Sequence, residues 1–149
     1  WYPYEESVRV PLVVRDPRLP PARRGSTLSQ LALNLDVAPT LVAAAGLPVP
    51  AVMQGQDLGP LYLAATPPAW RDEFFYEHPT ITSKDRIPSS QGVMRKDWKY
   101  IEWPEFDYQQ LFDLQDDPGE IRNLAGQPAH AGRQAEMRKR LDVWRQRVR

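Results

Sequence analysis

The sequence predicts an α+β fold in which a small antiparallel β-sheet is covered by a C-terminal helix. Three observations lead to this fold class. Short aromatic or β-branched runs follow one another between residues 74 and 114, with polar turn residues between most of them. The last segment places apolar residues three and four positions apart, which is the spacing of one helix face. Residues 36–46 of the first half carry helix start and stop signals, and the apolar period changes to that of short strands beyond a boundary at residues 66–68.

The composition is that of a globular chain. Of its 149 residues 42% are hydrophobic, which is enough to bury a core for one domain or two small lobes. Lys plus Arg and Asp plus Glu number 19 each, so the net charge singles out neither nucleic acid nor an anionic surface. No apolar run reaches the roughly 18 residues of a membrane helix, so we expect no membrane span. The absence of cysteine excludes disulfides, thiolate metal sites and a cysteine nucleophile.

The opening residues predict that the chain continues a longer protein. Trp1 stands where an initiator Met would be, and the residues after it contain neither a charged leader nor the apolar stretch of a signal peptide.

Strand signals come first along the chain. Val8–Arg15 is a valine-rich run typical of a strand buried on both faces, and Pro11 moves it towards a sheet edge or a bulge. Residues 16–26 are rich in proline and arginine and predict an exposed loop. Leu28–Leu35 is compatible with a second strand that enters the same core.

Two helices are predicted next. Asp36–Ala45 has Asp36 as its N-cap, Pro39 in its first turn and Gly46 at the position that favours glycine after a helix end. Gln54–Leu63 indicates a shorter helix.

The second half predicts the sheet and its covering helix. The strands are Phe74–Glu77, Gly92–Arg95, Trp98–Trp103 and Gln110–Leu114, with a hairpin turn at Lys96–Asp97 and a type II turn at Asp116–Gly119. The apolar stripe of the last helix consists of Met137, Leu141, Trp144 and Val148. We expect this helix to cover one face of the sheet, with Trp144 buried.

Ionisable residues gather after the first strand. Glu77 and His78 precede a loop, residues 79–91, that contains Lys84 and Arg86. Loops held between strands are a frequent place for ligand contacts. We therefore take Glu77, His78, Lys84 and Arg86 as candidate substrate-binding residues. The alternative is an ordinary polar loop in which Glu77 has a structural role.

Two other charged features have simpler explanations. Asp113, Asp116, Asp117 and Glu120 lack the alternating ligand spacing of a calcium loop, which favours a turn and a helix cap over calcium binding. The only two histidines, His78 and His130, are far apart in the sequence, so a transition-metal site is not expected. Basic residues in the last segment raise the alternative of a nucleic-acid module, but cations near a helix C-terminus also complement the helix dipole.

A series of short motifs runs along nearly the whole chain. They are Tyr4–Leu12 (YEESVRVPL), Leu35–Leu41, Ala45–Leu47, Gln54–Leu58, Phe75–His78, Ile87–Ser89, Gly92–Val93, Lys99–Ile101, Leu111–Leu114, Asp117–Glu120 and Asn123–Ala125. A cap, turn or hairpin would explain each motif by itself. In this order they resemble the C-terminal part of the formylglycine-dependent sulfatases of the alkaline phosphatase superfamily.

The resemblance implies a domain organisation. Residues 1–66 would be the end of a sulfatase-like α/β catalytic domain, and residues 67–149 a C-terminal antiparallel-sheet subdomain with its terminal helix. The family's nucleophile is a formylglycine made in a C/S-x-P/A-x-R motif, and its divalent cation, usually calcium, is held by residues upstream of the segment that Tyr4–Leu12 resembles. This sequence contains no such motif. We therefore expect no catalytic residue, metal ligand or cofactor in this chain, and no hydrolysis by the chain alone.

The resemblance also implies an activity for the parent protein. That protein would be a sulfuric ester hydrolase acting on a sulfated small molecule or glycan, with the N-terminal catalytic half as the partner of this chain. A periplasmic or secreted location is favoured. Phosphonate monoester hydrolases and related phosphodiesterases share the fold and motif order and are the enzymatic alternative, and a non-enzymatic interaction module is the alternative of another class. An apolar edge at Val8–Arg15 would let the chain self-associate.

Overall fold

The computed structural model describes residues 2–148 and divides into two compact units. The sheet unit contains residues up to Val10 and from Asp72 onward, and the helical unit contains Pro11–Arg71. The helices are α1 (Glu5–Val8), α2 (Val37–Ala44), α3 (Gly59–Leu63) and α4 (Ala131–Arg147), and the strands are β1 (Glu73–His78), β2 (Ser90–Arg95), β3 (Trp98–Trp103) and β4 (Tyr108–Asp113).

The four strands form one antiparallel meander in the order β1-β2-β3-β4. Each of the four strands predicted for the second half is present, and the turn between β2 and β3 lies at Lys96–Asp97 as predicted. In the register, His78 on β1 lies opposite Ser90 on β2, and Trp103 on β3 opposite Tyr108 on β4. The β1–β2 loop and the β3–β4 turn therefore leave the sheet at the same end.

One face of the sheet packs against α4. Because side chains alternate along a strand, Val93, Tyr100 and Leu111 share this face and are fully buried with Met137 and Leu141 of the helix. The predicted α+β fold with a helix over an antiparallel sheet is confirmed.

The end of the predicted apolar stripe departs from the prediction. Trp144 is half-buried against the core, and its indole N–H donates a hydrogen bond to Glu73. An indole needs such a partner when it leaves water, which is why the ring stops at the edge of the core. Val148 lies beyond the last residue of α4 and is 54% exposed, so its place in the stripe was predicted wrongly.

The opposite face of the sheet is covered by the N-terminal segment. Ile101, Trp103 and Phe112 form its core, and the Tyr4 ring packs edge-on against Phe112 with 6.2 Å between ring centroids. The Tyr4 hydroxyl donates to Gln110. Residues 2–8 thus act as the second cover of the sheet.

Lys99 on β3 anchors this segment from within the core. Its side chain has no solvent exposure, and Nζ lies 2.7 Å from carboxylate oxygens of both Glu5 and Glu120 and 3.0 Å from the Pro3 carbonyl oxygen. The Glu5 backbone N–H also donates to Glu120. A buried ammonium group is tolerated only when charges and hydrogen bonds replace its water, and these oxygens do so.

In the helical unit, α2 ends as the sequence predicts. The Gly46 N–H donates to the Ala43 carbonyl (3.0 Å) and the Leu47 N–H to the Val42 carbonyl (3.2 Å), the paired bonds of a Schellman motif. Gly46 has φ +75°, a conformation that glycine adopts without a steric penalty.

Asp36 lies at the N-cap position of α2, as predicted. Its carboxylate, however, forms no capping hydrogen bond with the helix. It is fully buried and accepts hydrogen bonds from the backbone N–H groups of Leu33 and Gln56 and from the Arg71 guanidinium. Burial by itself raises the pKa of Asp36, but the bonds from Arg71, Gln56 and Leu33 outweigh it and hold the pKa below its ordinary value. Asp36 therefore ties together three segments of the helical unit.

Two predicted strands of the first half are absent from the described residues. Residues 9–15 and 28–33 contain no strand, and Val10 and Val13 are 58% and 90% exposed. A strand needs a partner that pairs with its backbone groups, and no partner strand lies in the helical unit. The valine-rich pattern indicates strand propensity, but it does not indicate whether a partner strand is available.

The helix predicted at Gln54–Leu63 is confined to Gly59–Leu63. The N–H groups of Gln56 and Leu58 donate to the side chains of Asp36 and Thr40, and these bonds hold residues 54–58 outside a helix.

The predicted turn after β4 is present but is not type II. The Glu120 N–H donates to the Asp117 carbonyl at 3.0 Å, while Gly119 lacks the positive φ that a type II turn requires. Instead Glu120 has φ 54°, in the left-handed region. Its carboxylate is fixed by Lys99 and by the Glu5 N–H, which explains why a residue other than glycine is held there.

Candidate functional site

The β1–β2 loop, residues 79–89, leaves the end of the sheet as a closed loop. An isolated bridge pairs Ile81 with Ile87, and the N–H groups of Arg86 and Ile87 both donate to the Ser83 carbonyl. The loop therefore has its own internal hydrogen bonds and does not depend on the strands alone for its shape.

Glu105 holds both ends of this loop. It lies in the one-turn 3-10 helix Pro104–Phe106 between β3 and β4. One carboxylate oxygen accepts a hydrogen bond from the Thr80 hydroxyl, and the other accepts from the Ser89 N–H (2.7 Å) and the Ser89 hydroxyl (2.8 Å). The hydrogen bond from Thr80, followed by those from Ser89 and the charge of Lys84, keeps the pKa of Glu105 below its ordinary value although partial desolvation opposes this.

The two predicted cations lie exposed on the tip of the loop. The Lys84 ammonium group is 6.0 Å from the centre of the Phe106 ring, a cation–π distance. The Arg86 carbonyl accepts a hydrogen bond from the Tyr2 hydroxyl. Within residues 2–148, neither Lys84 nor Arg86 forms an ion pair with a carboxylate, so both charges face solvent.

Glu77 and His78 point to opposite faces of the sheet, because they are successive residues of β1. The Glu77 carboxylate accepts from the Gln91 side-chain amide, and the Gln91 amide oxygen accepts from Arg145 of α4 at 2.7 Å. Glu77 thus belongs to a network that joins β1, β2 and the covering helix.

His78 lies on the other face with one ring nitrogen buried. His78 Nδ1 and the hydroxyl oxygen of Ser90, which lies directly opposite on β2, are both buried and have no hydrogen-bond partner among the described residues. Buried polar atoms of this kind are normally satisfied by protein, water or ligand. The structure therefore brings His78 to the base of the loop that carries Lys84 and Arg86, and separates Glu77 from all three.

Sequence reasoning missed Glu105 and Phe106. No local signal marks them, because their partners lie 16–25 residues away in the chain. The observed meander brings the β1–β2 loop and the β3–β4 turn to one end of the sheet, and this strand order was not predicted from the sequence.

The acidic residues after β4 are engaged by the backbone. An Asp113 oxygen accepts from the N–H groups of Gln115 and Asp116, and the two Asp117 oxygens accept from Ile121 and Arg122. These bonds are those of turn caps. Across residues 2–148 no group of three or more His, Asp or Glu side chains is arranged to hold a metal ion.

Several basic residues of α4 are paired with acids. Arg140 binds Glu73 at 2.7 Å, and Arg145 and Arg138 both bind Glu102. These pairs fasten the helix to β1 and β3 and leave less free charge for a nucleic-acid surface.

Comparisons with known proteins agree with this fold. A family model described as N-sulphoglucosamine sulphohydrolase, C-terminal, matches residues 1–147. An N-acetylglucosamine-6-O-sulfatase of Bacteroides thetaiotaomicron is 32% identical over 142 residues, which cover 93% of this chain and 25% of that protein. A solved structure in complex with its substrate D-glucosamine-2-N,6-O-disulfate superposes with a TM-score of 0.74 and 30% identity, covering 82% of this chain and 25% of the other.

A phosphonate monoester hydrolase from Silicibacter pomeroyi also superposes. Its TM-score is 0.71 at 25% identity, and the match covers 89% of this chain and 28% of that chain.

The fold and these matches define a sulfatase-type C-terminal region. The chain belongs to the N-sulphoglucosamine sulphohydrolase C-terminal family. It spans about a quarter of the length of the sulfatase relatives that it matches. Within residues 2–148 no helix has the length and apolar character needed to cross a membrane.

Proposed function

We propose that the protein to which this chain belongs is a sulfatase that hydrolyses sulfate esters, and that this region contributes structure and part of the substrate pocket. The observation that carries the proposal is the family match over residues 1–147, on a chain that has the corresponding sheet and covering helix. The N-acetylglucosamine-6-O-sulfatase relative and the arylsulfatase relatives support the reaction class.

The bond-breaking groups belong elsewhere in the protein. Sulfate ester hydrolysis needs an activated nucleophile and positive charge on the sulfuryl oxygens. In the proposed enzyme a formylglycine supplies the first and a divalent cation, calcium, contributes to the second. The sequence has no C/S-x-P/A-x-R motif for the nucleophile. The chain by itself should therefore be inactive. An assay of the purified chain with an aryl sulfate tests this expectation directly.

The β1–β2 loop is the proposed substrate wall. Lys84 and Arg86 present two exposed positive charges, and His78 lies at the base of the loop with a buried nitrogen that has no hydrogen-bond partner within residues 2–148. Cations donate strong hydrogen bonds to sulfate and to sugar hydroxyls. The substrate is then a sulfated saccharide, which is consistent with the disulfated glucosamine bound in the similar structure. Glu77, bound to Gln91, contributes indirectly by holding β1 against β2.

Paired kinetics on the full-length enzyme test this role. His78→Ala or Arg86→Ala should lower kcat/KM for the sulfated saccharide by about tenfold, and leave a small aryl sulfate unaffected, because only the saccharide reaches the loop. Lys139→Ala, a cation exposed on α4, is the matched control and should change neither. Equal losses on both substrates would assign the loop a folding role, and no loss on either would remove it from the pocket.

The segment after α1 supports a second part of the proposal. Residues 9–15 are exposed and contain no helix or strand, and their valines need cover. In the intact enzyme this segment would complete the sheet of the α/β domain, so that residues 1–66 end the catalytic domain and residues 67–149 form the C-terminal subdomain. The N-terminal catalytic half is then the chain's partner.

A periplasmic or secreted location accompanies this proposal. Relatives from Caenorhabditis elegans and Drosophila melanogaster are named as extracellular sulfatase homologues, and they match about half of this chain.

Phosphonate monoester hydrolysis is the second candidate. The superposition on the Silicibacter pomeroyi enzyme favours it, while the family model and the closer sequence identities favour sulfate esters. The ratio of kcat/KM for a phenyl sulfate to that for a phenyl phosphonate monoester, measured on one preparation, decides between them.

A further inference from the structure

A single side chain outside the β1–β2 loop fixes the loop at both ends. The Glu105 carboxylate binds Thr80, the second residue of the loop, and Ser89, the last one. Ordering a loop of this length has an entropic cost that grows with the number of free residues. Three hydrogen bonds to one charged acceptor offset that cost, and charge-assisted bonds are the stronger kind.

The residue after Glu105 contacts the tip of the same loop. The Phe106 ring lies under the Lys84 ammonium group. The turn that carries both residues is itself fixed, because it joins the fully paired strands β3 and β4 and ends at Asp107, which has φ 46°. The β3–β4 turn therefore contacts the start, tip and end of the loop.

We infer that Glu105 is a positioning residue for substrate recognition: by joining Thr80 to Ser89 it holds Lys84 and Arg86 where they meet the anionic groups of a sulfated saccharide. This inference rests on the proposed role of the loop as a substrate wall. The role inferred for Glu105 is indirect, because the three hydrogen bonds of its carboxylate all go to the loop.

The first test measures the loop directly in the 149-residue chain. Glu105→Ala removes all three hydrogen bonds, so the Ser89 amide and its neighbours in residues 79–89 should exchange with deuterium at least about tenfold faster. Amides of β2–β3 should keep their rates. Glu105→Gln, which retains one acceptor oxygen, should fall between the two. Asp85→Asn changes the charge near the loop tip equally but removes none of these bonds, and should match the parent chain.

The second test measures recognition in the intact enzyme. Glu105→Ala should raise KM for the sulfated saccharide about tenfold, the scale expected when a binding group is misplaced, with kcat for a small aryl sulfate unchanged. Thr80→Val removes one end of the link without touching Glu105, and should give a smaller effect that does not add to that of Glu105→Ala. If the Glu105→Ala variant fails to fold, the KM of Thr80→Val for the sulfated saccharide is the test.

The outcomes separate the inference from the proposed function. Unchanged exchange in residues 79–89 overturns the inference whatever the kinetics. Faster loop exchange with no change in KM also overturns it, provided that Arg86→Ala impairs the saccharide reaction. If neither Arg86→Ala nor Glu105→Ala affects that reaction, the loop is not a substrate wall, and the inference falls together with the proposed function.

Discussion

At the scale of single residues, buried charges decide how the sheet unit is held together. Lys99 is a lysine on a strand whose same-face neighbours are apolar, and the sequence pattern alone would place a hydrophobic residue there. Its ammonium group reaches Glu5 near the start of the chain and Glu120 after β4. Because these partners lie 94 and 21 positions away, no local pattern could have indicated them.

Replacing Lys99 should destabilise the sheet unit strongly. Lys99→Met leaves the Glu120 carboxylate, whose side chain is only 3% exposed, without its counter-ion. Removing one partner of a buried ion pair costs about 3–5 kcal/mol of unfolding free energy, which urea titration followed by tryptophan fluorescence measures. Lys96→Met in the exposed β2–β3 turn is the matched control and should change stability by less than about 0.5 kcal/mol. The double variant Lys99→Met/Glu120→Gln should recover part of the loss, and no recovery would contradict the buried-charge explanation.

At the scale of elements, the predictions were correct where an element depends on local sequence patterns and wrong where it depends on pairing with a distant segment. The four strands and α4 follow from aromatic alternation, turn residues and helical spacing, all of which lie within single segments. The strands expected at Val8–Arg15 and Leu28–Leu35 failed, because a strand exists only with a partner strand. The candidate site divides in the same way: Lys84 and Arg86 were named as candidates from the loop sequence, whereas Glu105 meets that loop only through the strand pairing and could not be named.

Asp36 provides a prediction for the helical unit. Because its pKa is lower in the folded chain than the ordinary 3.8, its stabilising contribution is fully present above that pH and is lost as pH falls through the folded-state value. Asp36→Asn removes the charge that Arg71 neutralises and should reduce the stability of the unit by about 2–4 kcal/mol at pH 7. Amide hydrogen exchange of α2, followed as a function of pH in the parent chain and in Asp36→Asn, measures both the loss of stability at pH 7 and its pH dependence. The difference between parent chain and variant should shrink below pH 3.8, and a constant difference would rule out the ionised carboxylate as its source.

At the scale of the whole molecule, the two units differ in how well they cover their apolar residues. The sheet unit buries Val93, Tyr100 and Leu111 completely, and its sheet is covered on both faces. The helical unit buries Leu58 and Leu61 but leaves other apolar side chains in solvent: Leu41 on α2 is 65% exposed and Val13 is 90% exposed. Neighbouring exposed apolar side chains, such as those of residues 12–14, are typical of a surface that meets another protein segment. In the proposed enzyme that segment is the rest of the catalytic domain.

The uncovered residues predict self-association of the isolated chain. Residues 9–15 belong to no helix or strand, so their backbone groups are open to pairing with another segment, and two copies can bury the valines of each other. Sedimentation velocity should give a weight-average sedimentation coefficient that rises with protein concentration. Val13→Lys should lower this association by about tenfold, because a charge at the centre of a dry contact must be desolvated. Ile121→Lys is the matched control, since Ile121 is 86% exposed but lies on the sheet unit, and it should associate like the parent chain. A strict monomer at high concentration, or equal effects of the two variants, would contradict the role of this segment and favour a self-sufficient module.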